Sequence, residues 1–252
     1  MKTAPLFFTY HAGPDNSSKP MCLGCYRKVS GNYKCPGCKW PMCREACTRL
    51  PSHKPECTIF QLRKANVTVP WFDKPCSYYD AILPIRVLLL KMHNPKVYHL
   101  VTLLMDHGDS LDETSKKHRQ RVTDFILKTC KMGSDFTSAE VHHVLGILSV
   151  NSFVVHDTDE GNLDLIGLYP WTSLMSHHCI ANTKITTRED FSYVCEATVF
   201  IPKVGASAEK VPFSRLFKLV WPHSYCEWKG RTDVQQQTRL SSSIMPRDNQ
   251  NI

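Results

Sequence analysis

The sequence predicts an α+β protein built around a cysteine-rich segment. Three observations carry that reading. Residues 22–57 hold seven of the twelve cysteines, together with His53. Residues 82–148 repeat apolar side chains every three or four positions, the period of a helix with one buried face. Beyond residue 151 the text shortens to strand-like runs and to alternating apolar and polar positions, as half-buried strands require.

Residues 1–21 close with Gly13-Pro14-Asp15-Asn16-Ser17-Ser18-Lys19-Pro20, a loop by composition. The next segment reads Cys22-x2-Cys25-x9-Cys35-x2-Cys38-x4-Cys43-x3-Cys47-x5-His53-x3-Cys57. Each CxxC aims two sulfurs at one ion from a tight loop. Zinc takes four such ligands at tetrahedral angles, with the thiols deprotonated. Eight ligands therefore predict two closed sites and two structural Zn2+ ions, with no open position for a catalytic water. The Cys43-x3-Cys47 and His53-x3-Cys57 spacings suit one helical turn. Otherwise the segment has neither helical nor strand periodicity, as expected where ligands rather than a core hold the fold. Spacing alone leaves open whether the two sites interleave or follow one another.

From residue 79 the pattern turns helical, with Ile82, Ile85, Leu88, Leu89 and Met92 on one stripe and Arg86 interrupting the apolar run. Asn94-Pro95 reads as an N-cap followed by Pro at the first helical position. Val97, Leu100, Val101, Leu104 and Met105 then form the stripe of a second helix. The polar residues 109–120 lead to a third helix carrying Val122, Phe125 and Ile126. Thr137 and Glu140 fit a capping box that opens a fourth helix with Val141, Val144, Leu145 and Leu148. Residues 151–156 and 165–169 read as strands. The pattern degrades after Gly205, and residues 235–252 are polar and aperiodic, which predicts disorder.

Composition excludes several classes. No apolar stretch approaches the ~20 residues of a membrane helix, so no membrane partner is expected. Leu6-Phe7-Phe8 is too short for a signal peptide, whose apolar region needs roughly 7–15 residues. The expectation is an intracellular protein of the cytoplasm or nucleus, where reduced thiols bind metal in preference to forming disulfides. The net charge of +8 invites nucleic acid. Within residues 22–57, however, seven Lys and Arg stand against two Glu, formally +5, and two zinc ions with seven thiolates bring the sum near +2. That is no phosphate-binding stripe, and DNA is not the expected partner. Cys76, Cys130, Cys179 and Cys195 read as small buried hydrophobes, with no His placed to activate them. The adjacent pairs His142-His143 and His177-His178 point apart on a helix and make poor metal pairs.

The ligand order resembles the MYND finger, and the remainder resembles the SET and MYND domain protein family, in particular its arthropod-specific branch. The matching stretches run in the family's order: Leu83-Pro84-Ile85-Arg86-Val87-Leu88-Leu89-Leu90, then Val144-Leu145-Gly146-Ile147-Leu148-Ser149-Val150-Asn151-Ser152-Phe153, then Gly167-Leu168-Tyr169-Pro170, then Ser173-Leu174-Met175-Ser176-His177-His178-Cys179-Ile180-Ala181-Asn182. The resemblance covers residues 5–203. It implies interleaved pairing, with Cys22, Cys25, Cys43 and Cys47 on one zinc and Cys35, Cys38, His53 and Cys57 on the other. It implies five parts: the end of a SET N-terminal portion and a loop (1–21), the finger (22–57), a helical insertion (62–168), a partial β-rich SET core (169–205) and a divergent tail (206–252).

SET enzymes transfer a methyl group from S-adenosylmethionine to a lysine amine, and the resemblance places Asn151, Ser176 and His177 at the cofactor site. Asn151 reads equally well as a cap on the preceding helix. The chain departs from the family at each catalytic part. It has no GxG before the finger. Ser176 and Ala181 replace the Asn and Pro of the knot, while His177, Cys179 and Asn182 match. Val204-Gly205-Ala206-Ser207 follows Ile201-Pro202-Lys203, with no channel Tyr in register, so no catalytic residue is assigned. MYND fingers generally bind short proline-containing peptides; here Thr48 and Leu50 stand where the family often has Gln and Trp. The implied function is a zinc-binding protein-interaction or transcription/chromatin-regulatory factor derived from a lysine methyltransferase. The alternative is an active S-adenosylmethionine-dependent protein-lysine methyltransferase.

Overall fold

The computed structural model describes residues 2–3, 7–10, 20–27, 29, 31–65, 67, 69, 77–106, 112–156, 164–177, 182–188, 191–198 and 218–219. Its helices cluster in the middle of the chain, and its strands pair antiparallel with one exception, so the class is α+β, as the sequence predicts. The chain divides into two units, residues 6–168 and residues 1–5 with 169–252.

Strand β1 (Lys2–Thr3) belongs to the second unit, and β2 (Phe7–Tyr10) opens the first. The cysteine-rich segment follows with β3 (Tyr33–Lys34), β4 (Pro41–Met42), a 3-10 helix over Glu45–Arg49 and α1 (Lys54–Leu62). A 3-10 turn over Ser77–Ala81 leads into α2 (Ile82–His93), then α3 (Pro95–Thr102), α4 (Glu113–Asp124) and α5 (Ser138–Asn151). Strands β5 (Ser152–His156) and β6 (Asp164–Leu168) complete the unit. Sheet order is β2-β6-β5, with Phe7 opposite Leu168 and Ser152 opposite Leu168 on the other side.

Helix α2 is the core of this unit. All residues from Ile82 to Leu89 are buried, because α1, α3, α5 and β2 surround it. A helix apolar on every face is stable only when covered on every face. Pro84 sits in the first turn, where its missing N–H breaks no helical hydrogen bond. Asn94 ends α2 and caps α3, its side chain accepting from the Val97 N–H at 3.3 Å. The Thr137–Glu140 capping box forms in both directions, at 3.2 Å and 2.8 Å.

The third helix differs from the sequence reading at both ends: α4 stops at Asp124, and Phe125 and Ile126 lie in the π-helical turn Phe125–Thr129 that follows it. The third helix begins at Glu113, inside the polar stretch, and not after it. Asp112 caps it by accepting from the Ser115 N–H at 2.7 Å, and Lys116 pairs with Glu113 at 2.8 Å. Glu, Lys, Arg and Gln are good helix formers without any apolar period. This helix buries only Arg119, Val122 and Thr123, so its first two turns carry no hydrophobic signal.

In the second unit, α6 (Pro170–Ser173), β7 (Ser176–His177), β8 (Thr183–Thr187), β9 (Tyr193–Ala197) and β10 (Lys218–Leu219) follow. One antiparallel sheet runs β1-β9-β8, and β10 lies parallel to β7. Tyr169 stacks on Tyr193 with centroids 3.8 Å apart, and its hydroxyl donates to the Phe191 carbonyl at 2.6 Å. Apart from Lys218–Leu219, the 206–252 tail lies outside the described residues. Among the described residues, no helix is long and apolar enough to cross a membrane.

Candidate metal centre

The two CxxC loops fold as the same turn. In the first, the Tyr26 N–H donates to the Cys22 carbonyl and the Cys22 N–H to the Arg27 carbonyl, both at 2.8 Å. In the second, the Lys39 N–H donates to the Cys35 carbonyl at 2.9 Å and the Cys35 N–H to the Trp40 carbonyl at 2.8 Å. Tyr26 and Lys39, each directly after the second cysteine, take left-handed backbone angles of φ 64° and 66°. Each turn has glycine before its second cysteine. A Cβ on Gly24 would lie 2.5 Å from the Cys47 carbonyl oxygen, and one on Gly37 would run into the Gln61 amide. Only glycine lets a second ligand-bearing segment approach so closely.

The remaining ligands come from the 3-10 helix, which carries Cys47, and from α1, which carries Cys57 with His53 as its N-cap. Cys43 precedes the 3-10 helix, so the Cys43–Cys47 pair is not one regular helical turn. The His53–Cys57 pair does close a turn, the Cys57 N–H donating to the His53 carbonyl at 3.2 Å.

The eight side chains converge in two groups, Cys22, Cys25, Cys43 and Cys47, and Cys35, Cys38, His53 and Cys57, each with ligand atoms within 4.8 Å of one another. The groups interleave along the chain. Each can hold one metal ion. Cys25 Sγ lies 3.5 Å from Cys43 Sγ, Cys35 Sγ 3.7 Å from Cys57 Sγ, and Cys38 Sγ 3.6 Å from His53 Nε2. Tetrahedral zinc, with Zn–S of about 2.3 Å and Zn–N of about 2.05 Å, sets sulfurs about 3.8 Å apart and sulfur about 3.6 Å from nitrogen. The donor sets and separations fit zinc. The second group is wholly buried, whereas Cys43 of the first is exposed.

Electrostatics favour a cation in both groups. A hydrogen bond from Cys25 pulls the Cys22 thiol down to about 4, and the same contact pushes Cys25 far up. Burial pushes Cys43 up to about 11. In the second group burial opposes the Cys35 thiolate, but the Cys38 N–H and the His53 ring bring it to about 7. Burial raises Cys38 and Cys57. Each group thus forms one thiolate readily, while Cys25 and Cys43 in the first and Cys38 and Cys57 in the second resist ionising until a divalent cation supplies the compensating charge.

A buried polar layer surrounds these ligands, and the sequence reading did not identify it. His53 Nδ1, the ring nitrogen facing away from Cys38, lies 3.4 Å from Glu56 Oε1. Glu56 is fully buried and takes a two-pronged contact from Arg86 of α2. Arg86 also donates to the Leu23 carbonyl at 2.8 Å and the Tyr26 hydroxyl at 3.2 Å. Burial works against the Arg86 charge, but Glu56 and Tyr26 hold its pKa above the ordinary value. The Gln61 amide donates to Cys57 Sγ at 3.0 Å. In the sequence, the only trace of this layer was a charged residue inside the apolar run of α2.

The segment also has a core, contrary to the expectation that ligands alone hold it. Trp40 is fully buried, stacked on Phe60 at 5.8 Å and edge-on to Tyr79 at 5.0 Å. The Tyr79 hydroxyl donates to the Met21 carbonyl at 3.0 Å. Met21, Leu23 and Met42 are buried with them, so the segment is continuous with the helical core.

The other residues singled out by sequence are dispersed. Asn151, the last residue of α5, is buried, and its amide donates to the Met105 and Ile147 carbonyls at 2.8 Å each. Ser176 and His177 lie on β7 in the other unit. The His177 side chain is outside the described residues. His143 contacts Asp106 at 2.7 Å and the Thr102 carbonyl at 3.1 Å and, among the described residues, joins no metal group. Cys130 and Cys195 are buried thiols; Cys76, Cys179, His178 and Ala181 lie outside the described residues. No protein-family model and no curated protein matches this chain.

Proposed function

We propose that this chain is a zinc-binding protein of the SET and MYND type, whose two-zinc finger acts as a protein-interaction module in transcription or chromatin regulation. The interleaved pairing of the eight ligands carries the reading. Interleaving is what the MYND resemblance implies, and two sequential fingers would not produce it. Both sites are closed by four protein ligands, which suits a structural metal. The finger's partners are proteins, with short proline-containing segments the first class to test. The reduced thiols suit the cytoplasm or nucleus. Ser176 and Ala181 at the knot positions, and Val204-Gly205-Ala206-Ser207 after Lys203, support an interaction role over methyl transfer from S-adenosylmethionine.

Elemental analysis of reduced, extensively dialysed protein tests the metal. Two zinc ions per chain are expected, with zinc lost in Cys35→Ser and retained in Cys130→Ser. One zinc or none in folded wild-type protein defeats the reading. Calorimetric titration with S-adenosylmethionine, beside a methyl-transfer assay, tests the rest. Micromolar binding with lysine methylation would restore the enzyme.

A further inference from the structure

Arg86 is 1% exposed in the middle of the apolar run Ile82–Leu90, a position that costs several kcal/mol per charge unless fully paired. Its contacts divide between the two ligand groups. On the first side, Nη2 donates to the carbonyl of Leu23, which lies inside the Cys22–Cys25 turn. Nη1 donates to the hydroxyl of Tyr26, the left-handed residue that closes that turn, and the guanidinium stands 5.6 Å from the Tyr26 ring centre. On the second side, Nε and Nη2 grip the two oxygens of Glu56, at 3.1 Å for the first pair. Glu56 Oε1 faces His53 Nδ1 at 3.4 Å, and His53 Nε2 faces Cys38 Sγ.

We propose that Arg86 is a positioning residue shared by both metal sites, so that retention of both ions depends on the seating of helix α2. The proposal rests on the reading that the two groups bind zinc. A ligating histidine is generally oriented by a carboxylate or carbonyl on its other nitrogen, and losing such a partner weakens metal binding about 10–100-fold. Glu56 is the carboxylate that faces this nitrogen, at 3.4 Å and without a formed hydrogen bond, and Arg86 is the cation that offsets the cost of burying it. The same guanidinium fixes the backbone of the first turn. Acceptors on three residues around one side chain require the rigid fork of Arg; the Lys ammonium is a point charge that cannot span them.

The test uses the full chain loaded with cadmium-113, read by NMR and by competition with a chelator. The all-cysteine site and the histidine-bearing site give separate signals, because cadmium shifts respond to the ligand set. Glu56→Gln should weaken the histidine-bearing site about 10–100-fold and move its signal. Arg86→Lys should move both signals and weaken both sites. Ile147→Ala, a fully buried position in α5, should lower stability without moving either signal. Tyr26→Phe removes one Arg86 contact on the first site alone and should move only the all-cysteine signal. It decides the matter if Arg86→Lys does not fold. Arg86→Lys that spares either site, or Tyr26→Phe that moves neither signal, overturns the proposal. Wild-type protein without two cadmium signals would instead refute the metal reading itself.

Discussion

Trp40 offers the sharpest test of the packing around the metal centre. Its indole is fully buried between Phe60 and Tyr79, yet its Nε1 has no hydrogen-bond partner among the described residues. Trp40→Ala deletes a large buried side chain, which costs about 3–5 kcal/mol, and the two ring contacts place this site toward the upper end. Trp40→Phe keeps a ring over Phe60. It loses part of the volume, about 1–2 kcal/mol, but removes a buried N–H whose lack of a partner costs about 1–3 kcal/mol. The net change for Phe lies between about 1 kcal/mol destabilising and about 2 kcal/mol stabilising. The assay is denaturant unfolding at one fixed excess of zinc, since bound metal shifts apparent stability by mass action. Far-UV circular dichroism reports the helices, and a chromophoric chelator reports released zinc. Differences between variants are read, because a chain of two units need not unfold in one step. If Phe proves as damaging as Ala, the indole nitrogen has a partner and the reasoning fails. If Ala costs less than about 1 kcal/mol, the segment does not share the helical core.

Three further outcomes follow from the geometry. Gly24→Ala should drive its Cβ against the Cys47 carbonyl, 2.5 Å away, and weaken the all-cysteine site while sparing the histidine-bearing site; equal zinc loss from both in competition assays would refute this. Zinc affinity should rise with pH through neutrality, because Cys25, Cys38, Cys43 and Cys57 titrate above their ordinary range and must each lose a proton. Calorimetry in buffers of different ionisation enthalpy should find at least four protons released on filling both sites, and fewer than two would contradict the electrostatics. Thr137→Ala should cost about 1 kcal/mol by breaking the α5 capping box. Lys91 and the Thr137 N–H also depress the Glu140 pKa, so its stabilisation holds above the ordinary carboxylate range and fades as pH falls through the depressed value. Denaturation midpoints at pH 7 and below pH 4 check both, and a Thr137→Ala effect unchanged by acid would count against the pairing.

The sequence by itself determined the features whose physics is local. Zinc accepts few residue types and needs them at short, turn-closing spacings, so the eight candidate ligands stand out from the string alone. The Asn94-Pro95 start and the Thr137–Glu140 box were legible for the same reason, since caps act across three or four residues. The start of α4 was not, because charged helix formers leave no apolar period. The tertiary structure alone decided the grouping of ligands as geometry, which spacing left open. It also turned Arg86 from an interruption into a partner of Glu56, thirty residues away in sequence. It placed Trp40 against Tyr79, and β2 beside β6 across more than a hundred and fifty residues. A buried charge takes its meaning from the groups that surround it in space. Those groups come from segments that only the folded chain brings together, which is why no window of sequence contains them.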